Sequence, residues 1–340
     1  MPELPEVEVV RAGLERYLVG RVVRDVEILD PRPLRRQAGG PQALVRTLTG
    51  RTLTAVVRRG KFLWLPLDDG RALSAHLGMS GQLLVRGAAR HPAPARPRYV
   101  RDVPAAPRHL RVRLHLEPAA GDEPGGASLD LVDQRMLGGL HTVDLVPTPD
   151  GAPGGAGSPL ALLPADATHI ARDILDPDLD RAGALARMRA SRRAVKTLLL
   201  DQGLVSGIGN IYADEGLWEA RVHGLRPGTW LGPRVADRLL DLVAAVMRRA
   251  LAAGGTSFDA LYVDAEGAAG YFARELAVYG RAGQHCRRCA TALRRETVGA
   301  RSHTFCPRCQ RRPRHPAGPA PGTSAPGAGG HGPDRPPRSV

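Results

Sequence analysis

Two pairs of cysteines, Cys286-x-x-Cys289 and Cys306-x-x-Cys309, constrain this chain more than any other feature. Thiols at this spacing, with a strand-length segment between the pairs, make a zinc ribbon in which four thiolates close a tetrahedron around one ion. A closed tetrahedron keeps no position for substrate, so one structural Zn2+ is expected rather than a catalytic metal. An iron–sulfur cluster or a redox dithiol is the competing chemistry. Arg287, Arg288, Arg294, Arg295, Arg301 and Arg308 crowd around the pairs, and a basic ribbon of this kind presents its hairpin to nucleic acid.

The charge of the whole chain points the same way. Its 48 Lys and Arg against 34 Asp and Glu give a formal +14. The last thirty residues hold five Arg and one Asp, a net +4, so the body keeps +10. A basic body implies a polyanionic partner, most simply nucleic acid. Only two of the basic residues are lysines, Lys61 and Lys196. In a chain so biased toward arginine, a remaining lysine marks a place that needs a compact amine, or else a chance survivor on the surface. No basic start precedes an apolar segment and no apolar run nears membrane-spanning length, so a cytosolic protein without membrane contact is expected.

The chain begins Met-Pro-Glu-Leu-Pro-Glu-Val-Glu. Removal of Met1 would leave Pro2 as a free secondary amine, which can attack an aldehyde-like carbon and form an iminium. Glu3 and Glu6 would lie close by. The same residues also describe an ordinary helix start, with proline and acids in the first turn. Leu4, Val7, Val10, Leu14 and Leu18 repeat at helical spacing, so an amphipathic helix follows on either reading.

Beyond it, short alternating segments predict strands. Leu110, Val112, Leu114 and Leu116 are the strictest case, and the set reads as a β-sandwich or barrel packed with the first helix. Proline- and glycine-rich interruptions near 87–107 and 117–127 read as surface loops; the first carries Arg90, Arg96, Arg98, Arg101 and Arg108. The expected organisation is α+β and multidomain. An N-terminal β-sandwich with its leading helix spans 1–146, a Pro/Gly/Ser-rich linker 147–160, and a helical domain 161–281. A zinc ribbon spans 282–310 and a disordered basic tail 311–340. Within the helical part, segments 194–202, 211–220 and 233–253 carry helical patterns.

One further motif sits in that domain: Gly207-Ile-Gly-Asn-Ile-Tyr-Ala213, a glycine-rich turn opening a helix. Amides at such a helix start can hold a phosphate, with Asn210 adding a side-chain donor; a tight helical hairpin is the plainer reading. Taken in order, the Pro-Glu-Leu-Pro start, Arg59-Gly-Lys61, His76-Leu-Gly-Met-Ser-Gly81, this turn, Gly270-Tyr-Phe and the ribbon closely resemble bacterial formamidopyrimidine-DNA glycosylases. These have a helix-two-turn-helix domain. The resemblance covers about residues 1–310.

The resemblance implies an enzyme that flips an oxidised purine out of double-stranded DNA, typically 8-oxoguanine or a formamidopyrimidine. It would attack the sugar C1′ with the N-terminal proline and cleave the backbone by β- and δ-elimination. On that basis Pro2 is the nucleophile and Glu3 the acid that protonates the sugar ring oxygen. Glu6 is a supporting carboxylate, Lys61 serves β-elimination, and Arg301 serves δ-elimination. Lys196 matches a lysine near the lesion pocket. His76, Asn210 and Tyr271 match phosphate contacts, His109 matches another, and 257–270 corresponds to a loop over the flipped base. Met79, Arg135 and Leu137 fill the gap that flipping leaves. The family usually places phenylalanine where this chain has Leu137, which lacks a flat face for stacking. Ser191 replaces a residue that is often basic, with Arg192 and Arg193 beside it. A monomer acting at the nucleoid is expected. The alternatives are an endonuclease VIII-like preference for oxidised pyrimidines and a DNA-binding paralogue without catalysis.

Overall fold

The computed structural model describes residues 2–88, 99–100, 108–256, 268–269 and 272–313, with the backbone alone at 99–100 and 268–269. Tyr271, the arginines at 90, 96, 98 and 101, most of 257–270 and the tail from 314 lie outside the described residues.

In chain order the elements are α1 (Leu4–Leu18), β1 (Val23–Ile28), α2 (Gly40–Leu48), β2 (Val57–Arg59), β3 (Phe62–Pro66), β4 (Arg71–His76) and β5 (Gly81–Arg86). Then come β6 (Tyr99–Val100), β7 (Leu110–Leu116), β8 (Ser128–Asp133), β9 (Gly139–Pro147) and β10 (Leu162–Pro164). The remainder is α3 (Arg181–Ala190), α4 (Val195–Leu199), α5 (Asn210–Ala220), α6 (Pro233–Ala252), β11 (Ala268–Ala269), β12 (Arg294–Val298) and β13 (Arg301–Phe305).

The first lobe is a sandwich of two antiparallel sheets, ordered β1-β7-β8-β5 and β10-β9-β4-β3-β2. In β7, Leu110, Val112, Leu114 and Leu116 are buried while the residues between them are half-buried, as a period of two requires of a strand with one face on a core. That core joins both sheets to the apolar stripe of α1 through Val7, Leu14, Leu63, Leu73, Leu83 and Leu114. The Pro/Gly/Ser-rich stretch docks on this lobe. Arg58 and Ala156 exchange both backbone hydrogen bonds at 2.9 Å, Arg59 Nε donates to the Gly154 carbonyl, and β10 extends the five-stranded sheet.

The second lobe packs α3–α6 around Val195, Leu199, Ile208, Tyr212, Leu239, Val243 and Met247. The helix expected over 194–202 ends early, at Leu199. The Asp201 side chain accepts the Gly203 amide at 3.0 Å, closing a turn that competes with further helix. Leu4 belongs to this second core although the rest of the α1 stripe belongs to the first. The start of the chain is therefore pinned where the lobes meet. β12 and β13 form the ribbon hairpin, with Gly299 and Ala300 both at positive φ in its two-residue turn.

Candidate active site

Pro2 is buried at the head of α1. The helix begins with a reciprocal cap in which the Glu3 amide donates to the Glu6 carboxylate at 2.9 Å, which fixes the peptide next to Pro2. The Glu3 side chain reaches across to the other lobe. It accepts the amides of Gly209 (2.9 Å), Ile211 (2.8 Å) and Tyr212 (3.4 Å), so it sits on the N-terminus of α5. Burial pushes the Glu3 carboxyl up to about 7, more than the Lys61 ammonium and the α5 amides pull it down. This acid keeps a large protonated fraction near neutral pH, as an acid that donates during catalysis must.

Close backbone approach makes this contact possible. A Cβ on Gly209 would lie 2.2 Å from the Glu3 carboxyl carbon, and one on Gly207, whose φ is +89°, would lie 2.5 Å from Leu4 Cδ1. The glycine-rich turn thus receives the first helix of the chain; its amides bind Glu3 and not an external anion.

Glu6 is buried one turn further along. It accepts the Tyr212 hydroxyl at 2.7 Å and the Thr256 amide at 2.9 Å, while Tyr212 and Thr256 share a 2.9 Å contact of their own. Burial raises its carboxyl and these donors oppose the rise. Lys61 stands in the tight β2–β3 turn, where its ammonium donates to the Ile208 carbonyl at 3.0 Å. Burial lowers its amine most; Glu3 and Glu6 oppose this and Arg301 adds to it, so Lys61 and Arg301 share the field of the same site. Compared with an exposed lysine, burial favours the neutral form of this amine, the form that can accept a proton. Asp173 braces the turn, accepting from the Gly60 amide and from Arg58 Nη1.

His76 closes β4, with its Nδ1 accepting the Gly78 amide, and burial together with Arg36 and Arg35 lowers its imidazole, favouring the neutral form. Asn210 opens α5 and donates to Ser302 Oγ at 3.2 Å. His109 is half-buried beside Arg111. Met79 (41%) and Leu137 (43%) are among the few large apolar side chains left exposed, which suits a wedge and not a core. Their turns are tied together by buried Asp133, which accepts from Ser80 Oγ (2.6 Å) and from the amides of Arg135 (3.1 Å) and Gly138 (2.7 Å). Arg35 clamps the Leu137 and Gly138 carbonyls from outside.

Lys196 stands on α4. It is wholly buried, and its ammonium donates to Asp214 at 2.6 Å and to the Ser302 carbonyl. It lies within the electrostatic reach of Glu3 and Arg301.

The four cysteine sulfurs lie within 4.8 Å of one another and form no disulfide. Trp218 Nε1 (3.4 Å) and the Arg288 amide (3.5 Å) donate to Cys286 Sγ, and the Cys309 amide donates to Cys306 Sγ (3.4 Å). N–H donors aimed at sulfur are what zinc-bound thiolates require, so these residues fit one structural Zn2+.

Comparison with known proteins agrees with this geometry. Residues 1–140 match the family model of the formamidopyrimidine-DNA glycosylase N-terminal domain, 170–261 its H2TH domain, and 283–312 the zinc finger found in FPG and IleRS. The chain is 51% identical over 315 residues to the formamidopyrimidine-DNA glycosylase of a Nocardioides species, covering 92% of this chain and 95% of that protein. It belongs to the formamidopyrimidine-DNA glycosylase family. The Streptomyces avermitilis member is 50% identical over 315 residues, covering 92% of this chain and 99% of that protein. Lactococcus lactis Fpg bound to DNA containing an abasic site superposes with a TM-score of 0.69 at 28% identity, covering 91% of this chain and all of that one. The same values hold for its complex with DNA containing Fapy-dG. No described helix of this glycosylase is long and apolar enough to cross a membrane.

Sequence reasoning missed Tyr212, Asp214 and Thr256. Tyr212 and Asp214 lie just after the glycine-rich turn, but nothing in the sequence marks which helical residues face another lobe.

Proposed function

We propose that Pro2, exposed as a secondary amine by removal of Met1, is the nucleophile of this formamidopyrimidine-DNA glycosylase. The chain is a base excision repair enzyme with glycosylase and AP-lyase activity, and oxidised purines are its substrates. The single observation that carries the residue assignment is the burial of Glu3, raised to about 7, on the helix that follows Pro2.

Double-stranded damaged DNA lies between the lobes, with the lesion turned out toward Pro2. The amine attacks the sugar C1′ as the bond to the base breaks, and Glu3 gives its proton to the ring oxygen. The product is an iminium between Pro2 and the opened sugar. Lys61, an amine lowered by burial, serves β-elimination, and Arg301 on the ribbon hairpin serves δ-elimination. Glu6 fixes the Pro2–Glu3 peptide through its bond to the Glu3 amide. His76, His109, Asn210 and Tyr271 hold backbone phosphates, and Met79, Arg135 and Leu137 fill the gap in the duplex. Cys286, Cys289, Cys306 and Cys309 would hold one Zn2+ that closes the base of the hairpin carrying Arg301, a structural contribution only. The enzyme acts as a monomer at the nucleoid, with domain limits at 146, 160, 281 and 310.

Excision assays on duplexes carrying 8-oxoguanine opposite cytosine and thymine glycol opposite adenine test this reading. Faster release of 8-oxoguanine, with strand ends from both eliminations, is expected. Preferred release of thymine glycol would move the enzyme to the endonuclease VIII-like class, and binding without release would make it a non-catalytic reader.

A further inference from the structure

Asp214, on the second turn of α5, is completely buried, and so are Lys196 and His303 around it. One carboxylate oxygen accepts from Lys196 Nζ at 2.6 Å and from His303 Nδ1 at 2.7 Å; the other accepts the Thr304 amide at 2.9 Å. His303 Nε2 accepts the Gly224 amide at 3.1 Å, so its Nδ1 carries the proton and donates to Asp214. Lys196 spends a second donor on the Ser302 carbonyl, and Asn210 at the start of α5 donates to Ser302 Oγ.

Ser302, His303 and Thr304 are three consecutive residues of β13, and Arg301 is the residue before them. The ribbon is thus fastened to the helical lobe by more than its zinc. A buried carboxylate on α5 gathers one side-chain donor and one amide from the strand, and a lysine that itself grips the strand. A buried charge held this fully fixes geometry, because any displacement of the strand leaves it short of donors. The same helix presents its N-terminus to Glu3 one turn earlier, so α5 links the residue for the first chemical step to the strand that carries the last.

We propose that Asp214 is a positioning residue for Arg301: with Lys196 and His303 it sets the reach of the β13 arginine and so controls δ-elimination separately from Schiff-base formation. This rests on the AP-lyase reading above. Asp214 touches no substrate, and its influence passes through the strand.

The test uses the full-length zinc-loaded protein and a duplex with a preformed abasic site, which removes base recognition from the readout. Borohydride trapping measures the Pro2 iminium, and gel analysis of strand ends measures the δ-to-β product ratio. In Asp214→Asn an amide N–H must face the Thr304 amide or the Lys196–His303 pair, donor against donor, so β13 shifts. A shift of about 1 Å should lower the δ-to-β ratio by about 10- to 100-fold, with the trapping rate within about twofold of wild type. Lys196→Met, which removes the other grip on Ser302, should lower the ratio in the same direction.

Arg301→Ala provides the decisive background. If Asp214 acts through Arg301, adding Asp214→Asn to Arg301→Ala changes the ratio no further. A ratio equal to wild type in both single variants, or an equal loss of trapping and δ-product, or additive effects in the double variant, would overturn the proposal. Should Asp214→Asn fail to fold or to keep zinc, Lys196→Met and its double variant decide by the same criteria. A wild-type protein that traps no adduct defeats the AP-lyase reading instead, which keeps the two failures distinct.

Discussion

The Glu3 carboxylate accepts the Gly209 amide at 2.9 Å, joining the head of the first helix to the glycine-rich turn 206 positions along the chain. This contact exists because Gly209 has no Cβ; one there would lie 2.2 Å from the Glu3 carboxyl carbon. Gly209→Ala should therefore push Glu3 off the α5 amides while leaving the sandwich core intact. Base excision should fall by about 100-fold, the scale set by small misplacements of a reacting group. Single-turnover excision together with thermal melting checks this; full excision by a normally folded variant would separate Glu3 from the reaction.

Burial of Glu3 also ties stability to pH. Its carboxyl titrates near 4.5 in an open chain and near 7 in the fold. Between those values the folded state holds more protons than the unfolded state. The group's contribution is therefore fully present below about pH 4.5 and is lost as pH rises through 7. Against the wild type, Glu3→Gln, which stays neutral, should gain up to about 3 kcal/mol more at pH 8 than at pH 5, on top of a pH-independent loss from the side-chain N–H it turns toward the α5 amides. Denaturant unfolding at both pH values reads this, and a gain of equal size at both would contradict it. The same variant should lose base excision while keeping the Pro2 amine.

Leu137 stands 43% exposed, on a turn clamped by Asp133 and Arg35. The clamp sets the backbone, so a larger side chain there meets DNA and not the protein core. Leu137→Phe should tighten binding to a duplex with a stable abasic analogue by about 1 kcal/mol, the lower end of stacking on an aromatic ring. Titration by fluorescence anisotropy measures this. Unchanged affinity would mean that Leu137 does not enter the duplex.

The ribbon has its own small core, made of Trp218, Ala277, Val278, Leu293 and the cysteines, and shares no residue with the core of the sandwich. Removing zinc with a chelator should loosen the cysteine end of the ribbon, change Trp218 fluorescence through the loss of its contact with Cys286, and lower DNA affinity by about tenfold or more. Melting of the sandwich should persist. Restoring zinc should reverse these changes; full DNA affinity after verified zinc loss would contradict the role given to the ribbon.

The parts of the fold legible in the sequence were those with short-range signatures. The stripe Leu4–Leu18, the alternation in β7 and the spacing of the cysteines each follow from a local period or a local ligand geometry. The stop of α4 at Leu199 was less legible, since Asp201 reads as one more polar residue of a helix until its turn with Gly203 is seen. The interior network was illegible for a different reason. Asp214 looks like the solvated face of α5, and only the approach of β13, about ninety positions later, makes it a buried hub. Lys196 was flagged by its rarity, yet rarity does not say which way an amine points.

The most direct measurement of the central claim is borohydride trapping of the wild-type protein on a duplex with 8-oxoguanine opposite cytosine, followed by peptide mass spectrometry. The account expects a covalent adduct on the amine of Pro2, with Met1 absent. An adduct on Lys61 or Lys196, or no adduct from a protein that binds the duplex and has lost Met1, would contradict it.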